Sequence, residues 1–142
     1  MRFMMLVKAT EESEAGVLPS KEELAEMGQF NEELLKAGVM LAGEGLQASS
    51  KGARVKYSGD KRTVTDGPFT EAKELIAGYW LIQVRSKDEA VEWASRVPFR
   101  DGEVEIRQVF ESSDFPAESF SPEQAAREQA MRDDLQARAG RQ

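Results

Sequence analysis

Two carboxylates occupy positions suited to chemistry. Asp66 stands between a strand-like run and the turn Asp66-Gly67-Pro68-Phe69, and Glu44 is flanked by Gly43 and Gly45. A carboxylate at a strand end, beside an apolar cleft, has its pKa raised by desolvation and can act as general acid or base. By simple alternation Glu44 shares a strand face with Met40, Ala42 and Leu46. A carboxylate there needs a cation such as Arg54, or it keeps its proton. The two glycines beside it let a ligand or another backbone approach. In one pocket, the two carboxylates would divide acid and base roles. Each also has a structural reading. Asp-Gly-Pro makes a turn in which the aspartate bonds its own backbone and the glycine takes positive φ, and a bulge would turn Glu44 to solvent.

Composition removes most other chemistries. The 142 residues contain neither cysteine nor histidine. Thiol mechanisms, disulfides, His-based triads and nearly all zinc, copper and haem sites are therefore excluded. No metal site or cofactor is expected. A formal net charge of −7 makes nucleic acid or an anionic membrane an unsuitable partner. No apolar run approaches the ~20 residues of a spanning helix, and the start, Met1 to Lys8, is too short for a signal h-region. The expectation is a cytoplasmic protein. Gly43-Glu44-Gly45-Leu46-Gln47-Ala48 matches G-x-G-x-x-A, but a dinucleotide site needs a helix next, and Ser49-Ser50-Lys51-Gly52 follows instead. Between Lys51 and Arg62, five cations (Lys51, Arg54, Lys56, Lys61 and Arg62) stand against Asp60 alone. They can draw an anionic ligand or acidic surface, or guard an exposed edge from pairing. Arg54, Phe69, Glu71 and Tyr79 are the candidate ligand contacts.

The elements that position these residues follow from periodicity and capping. Phe3–Ala9 is an apolar strand, followed by a polar loop to Pro19. Ser20-Lys21-Glu22-Glu23 forms a capping box, and Leu24, Met27, Phe30, Leu34 and Ala37 recur at helical spacing until Gly38 supplies a left-handed stop. Val39–Gln47 is a second strand. Ala53–Tyr57 and Arg62–Thr65, joined by Ser58-Gly59-Asp60-Lys61, read as a hairpin. Ala77–Val84 is a long apolar strand. Ser86-Lys87-Asp88-Glu89 repeats the capping box, opening a second helix that Pro98 ends. Glu103–Phe110 is the last strand of a domain spanning 1–110. The extension, 111–142, opens a third helix at Ser121-Pro122-Glu123-Gln124, whose apolar face is thin.

Strand–helix–strand, a hairpin, then strand–helix–strand again is an α+β, ferredoxin-like plan. Its two helices cover one side of the sheet. Yet Phe3, Met5 and Val7 alternate with Met4 and Leu6, and Trp80, Ile82 and Val84 alternate with Tyr79 and Leu81. A sheet apolar on both faces is covered on both. Exposing three or four large side chains would forgo roughly 1.5–3 kcal/mol each. The expectation is a homodimer with sheets face to face.

The segment Val64-Thr65-Asp66-Gly67-Pro68-Phe69-Thr70-Glu71-Ala72-Lys73-Glu74 resembles the signature of the YCII-related proteins in their DGPF branch. Gly43-Glu44-Gly45-Leu46, Gly78-Tyr79-Trp80-Leu81-Ile82, and Ala90 with Glu92-Trp93-Ala94 agree with it. The resemblance covers about residues 1–110. It implies a dimeric α/β barrel, a family of enzyme-like proteins with a proposed His–Asp pair in a cleft, and an association of DGPF members with extracytoplasmic-function sigma factors. This chain has no histidine; Asp66 is the one counterpart of the pair, and an imidazole base cannot operate. The expected function is small-molecule binding in a dimer cleft, any catalysis being cofactor-independent acid–base chemistry by Asp66 with Glu44. The alternative is a non-catalytic dimeric interaction module linked to sigma-factor regulation.

Overall fold

The computed structural model of the chain describes residues 1–139, in two compact units, Met1–Val109 and a second beginning at Phe110. The last three residues of the predicted extension lie outside the described residues. In the first unit β1 (Arg2–Lys8) leads through a one-turn helix α1 (Glu11–Glu14) to α2 (Lys21–Lys36) and β2 (Met40–Gly45). A hairpin of β3 (Ala53–Ser58) and β4 (Lys61–Asp66) follows, then β5 (Ile76–Gln83), α3 (Lys87–Ser95) and β6 (Val104–Gln108). The main sheet runs β2-β5-β1-β6, antiparallel throughout, and the hairpin forms a sheet of its own. With the hairpin set aside, this is the ferredoxin-like strand order.

Both long helices pack on one face. Phe3 and Met5 of β1, Trp80 and Ile82 of β5, Phe30 and Leu34 of α2, and Ala90 and Trp93 of α3 form one buried cluster. Phe30 meets the edge of Trp80 at 5.3 Å between ring centroids. The Trp80 indole N–H donates to Asn31 Oδ1 at 2.8 Å, so this buried donor is satisfied. On the other face Met4, Leu6, Tyr79 and Leu81 are half-buried, and no helix of this core cluster covers them.

The predicted helix signals operate as hydrogen bonds. Ser20 accepts from the Glu23 N–H while Glu23 accepts from the Ser20 N–H. Ser86 likewise accepts from the Glu89 N–H, but the Glu89 carboxylate accepts from Arg85 rather than closing the box on Ser86. Gly38 has φ +71° at the end of α2, and Gly59 has φ +58° in the two-residue hairpin turn. A positive φ at the first central residue of such a turn matches the right-handed twist of the strands. The loop after β1 holds an unpredicted element. Thr10 and Ser13 cap each other, closing the single turn of α1.

In the second unit, Phe110, Phe115 and Phe120 pack in series as tilted pairs, with ring centroids 5.0 and 5.6 Å apart. Helix α4 (Pro122–Ala139) buries none of its residues and is laced by ion pairs such as Arg138 with Asp134 at 3.0 Å. No helix among the described residues is long and apolar enough to cross a membrane.

Leu34 has no exposed surface, whereas Met131 is 64% exposed. Leu34→Ala should lower unfolding stability by about 2–5 kcal/mol, and Met131→Ala should change it by no more than about 0.5 kcal/mol, both measured by urea denaturation with unchanged m-value.

Candidate functional site

The site is built where the hairpin leaves the main sheet. A 3-10 turn at Ser49–Lys51 precedes β3, and the Asp66-Gly67-Pro68-Phe69 turn follows β4. The two legs are tied together, because the Gly67 N–H donates to the Gly52 carbonyl at 3.0 Å. Ser49 ties them again. Its hydroxyl accepts from the Phe69 N–H at 3.0 Å and donates its own proton to Glu14 Oε1, while the Ser49 N–H donates to Glu14 Oε2 at 2.8 Å. A hydroxyl has one donor and two lone pairs; here the donor and one acceptor site link α1 to the turn after β4. The two bonds from Ser49, the side-chain one first, hold the Glu14 carboxyl below the usual carboxylate range, against a smaller opposing effect of burial.

This packing explains Gly67 differently from the sequence reading. Its φ is not positive. A Cβ there would lie 1.8 Å from the Ser49 carbonyl oxygen, so glycine is required by close backbone approach. The Gly67–Pro68 peptide is cis. Asp66 does not bond its own turn either. It is exposed at the end of β4, and no hydrogen bond from the described residues reaches its carboxylate.

The structure divides the six candidate residues. Arg54 and Phe69 meet, with the guanidinium carbon 3.8 Å from the ring centroid. Together with Val55, Lys56 and Thr65 they line an open concavity of about 400 Å³. Paired residues of a ladder share a face. Arg54 opposes Thr65 and Lys56 opposes Thr63, whereas Asp66 opposes Ala53 on the other face of the hairpin, with Val55, Val64 and Tyr57. Glu71 is exposed two residues beyond Phe69.

Glu44 follows the second of its two sequence readings, the bulge. Alternation assigned it the face of Met40, but the register passes from Met40↔Ile82 directly to Ala42↔Leu81. This bulge at Leu41 reverses the parity. Met40 packs on the core, while Ala42 and Glu44 turn to the face not covered by the helices, Glu44 directly opposite Tyr79. Glu44 is exposed and forms no ion pair with Arg54. Gly43, which takes the core side, leaves room for Trp80: a Cβ would lie 2.9 Å from the indole. No hydrogen bond or ion pair among the described residues joins Asp66 to Glu44. A second concavity, about 420 Å³ between α3 and β6, holds none of the six. Among the described residues no group of three or more acidic side chains is placed to hold a metal ion.

Glu14 and Ser49 were not among the sequence candidates. Only the Thr10-to-Ser13 capping pattern lay in view, and it locates α1 without revealing a contact 35 residues away.

Residues 1–113 match the model of the YCII-related domain. The chain belongs to that family. An uncharacterised protein of Rhizobium meliloti (strain 1021) is 32% identical to it over 79 residues, 53% of this chain and 64% of that protein. The chain thus spans less than two thirds of that relative's length. A solved structure of 5-chloro-2-hydroxyhydroquinone dehydrochlorinase from Burkholderia phenoliruptrix, in complex with 2,5-dihydroxybenzoquinone, is similar at 13% identity and a TM-score of 0.40, covering 82% of this chain and 100% of that one.

The Glu14 latch carries a pH dependence. A carboxyl whose pKa is lower folded than unfolded stabilises the fold fully above its unfolded value, about 4.3 for glutamate. That contribution fades as pH falls and is lost through the lower, folded value. Below about pH 4 the backbone amide resonances of Ser49 and Phe69 should therefore shift together. In Glu14→Gln they should be displaced already at neutral pH and no longer titrate. Amide signals indifferent to both would show that Glu14 does not hold the turn.

Proposed function

We propose that this YCII-related protein is a homodimer that binds a small organic molecule at the root of its hairpin. The observation carrying the binding reading is the concavity walled by Arg54 stacked on Phe69, with Phe69 held by Ser49 and Glu14. Its volume lies in the range of small-molecule sites, and its wall is braced by side chains from distant segments. Half-buried Met4, Leu6, Tyr79 and Leu81 on the face away from the core cluster, and Val55, Tyr57 and Val64 exposed on one face of the hairpin, support the dimer. A lone two-stranded hairpin is marginal in water, and a second copy would supply its missing cover.

Catalysis has less support than binding. Asp66 and Glu44 are exposed carboxylates outside the concavity, and acid–base chemistry would require a second copy to enclose them. The reading uses no cofactor. The alternative, a non-catalytic interaction module, draws on α4, which presents Met131 and Leu135 to solvent at 64% and 65% exposure.

Two measurements test the reading. In sedimentation equilibrium the protein at micromolar concentration should show twice the mass of one chain. Leu81→Glu should return it to monomer with helical circular dichroism retained. In an NMR screen of small aromatic fragments, amide shifts should cluster at Val55, Thr65 and Phe69. Phe69→Ala should weaken a fragment so found by about tenfold or more, about 1.4 kcal/mol, while Asp66→Asn leaves its affinity unchanged. Shifts confined to α4 would favour the interaction module.

A further inference from the structure

We infer that the hairpin-root site selects an organic carboxylate, gripped by Arg54 and Lys56 with its apolar body against Phe69. This rests on the small-molecule reading above and names the ligand class.

The argument begins with charge. The chain carries 26 acidic residues against 19 basic ones, so cations lacking an acidic partner are unexpected. The stretch from Lys51 to Asp66 nevertheless gathers five of them against two aspartates, Asp60 and Asp66. They are not equivalent. Arg62 is committed to the turn, donating to the Gly59 and Lys61 carbonyls and lying over Tyr57. Arg54 and Lys56 take part in no ion pair among the described residues. Two residues apart on β3, they project from the same face of the hairpin, and that face contributes Thr65 to the concavity.

Geometry then narrows the anion. Face contact with Phe69 fixes the Arg54 guanidinium by a cation–π interaction. The in-plane N–H donors are left uncommitted, in the planar fork that matches a carboxylate. The Phe69 backbone is itself tethered through its N–H to Ser49, so the ring under the fork extends from a braced turn. Lys56 adds a second positive charge, and the Thr65 hydroxyl, cross-strand from Arg54, adds a polar group. Phe69 supplies the apolar wall that an inorganic anion would not use. No glycine-rich loop opening a helix, the usual cradle of a phosphate, lines the concavity. One fork, one ammonium and an apolar wall describe a carboxylate on a hydrocarbon or aromatic body.

The test is an amide-detected NMR titration of the full chain with benzoate, benzamide and inorganic phosphate in turn. Benzoate should give saturable shifts at Arg54, Lys56, Thr65 and Phe69. Its affinity should fall with added salt and drop about tenfold or more in the exposed double variant Arg54→Gln, Lys56→Gln. Benzamide should bind at least about tenfold more weakly than benzoate. Equal binding of benzamide, unaltered by the double variant, would overturn the carboxylate assignment and leave the pocket reading standing. Phosphate binding as tightly as benzoate would overturn it in favour of a phosphorylated ligand. Loss of dimer mass in the double variant with benzoate affinity unchanged would assign the two cations to protein contact. Absence of saturable hairpin shifts with all three probes would overturn both this inference and the reading beneath it.

Discussion

The structure turns on the one-sidedness of its helical cover. Each crossover of the doubled β-α-β plan lays its helix on the same side of the sheet, so Phe3, Met5, Trp80 and Ile82 are sealed beneath Phe30, Leu34, Ala90 and Trp93. Stability resides there. The opposite face carries Met4, Leu6, Tyr79 and Leu81, none fully buried. That asymmetry organises the rest, because the bulge at Leu41 assigns each residue of β2 to one side or the other. Met40 and Gly43 serve the core, whereas Ala42 and Glu44 serve the remaining face. A single irregular residue thus decides which residues of β2 build the fold and which are available to another surface.

The hairpin is positioned by a different kind of force. It contributes no residue to the buried core, so apolar burial cannot fix its root. Polar contacts do so instead. Glu14 grips Ser49 through two hydrogen bonds, Ser49 passes that constraint to the Phe69 N–H, and Gly67 yields the space that the Ser49 carbonyl needs. Hydrogen bonds to a charged group are the stronger kind, and they are directional where apolar contacts are not. A site whose wall must hold one orientation is better served by such a latch than by packing alone.

Much of the architecture was legible because it is local. Capping at Ser20, positive φ at Gly38, the Gly59-Asp60 turn and the alternation of β1 and β5 each follow from residues a few positions apart. The site was legible only in part. Arg54 and Phe69 were identified by type and do meet, but alternation alone could not choose between the two readings of Glu44, and the register decides for the bulge that turns it to solvent. Glu14 lies 35 positions from Ser49, a contact that no local pattern encodes. Gly67 was recognised as necessary for an incorrect reason. An Asp-Gly-Pro string suggests a turn requiring left-handed φ, whereas the requirement is set by a neighbouring backbone that sequence does not display.

These two organising forces bear differently on function. A ligand contact on the sheet face would compete with whatever covers Tyr79 and Leu81, and its affinity would be linked to assembly. A contact at the hairpin root has a wall already assembled within one chain, because Arg54, Phe69, Ser49 and Glu14 all belong to the same unit. Preorganisation of that wall reduces the ordering cost that binding must overcome. Acid–base chemistry lacks this advantage. Asp66 and Glu44 are exposed to solvent, and only an enclosing surface would shield them. Binding at the proposed site would therefore be a property that one chain can nearly complete, whereas catalysis at these carboxylates would depend on assembly from the outset.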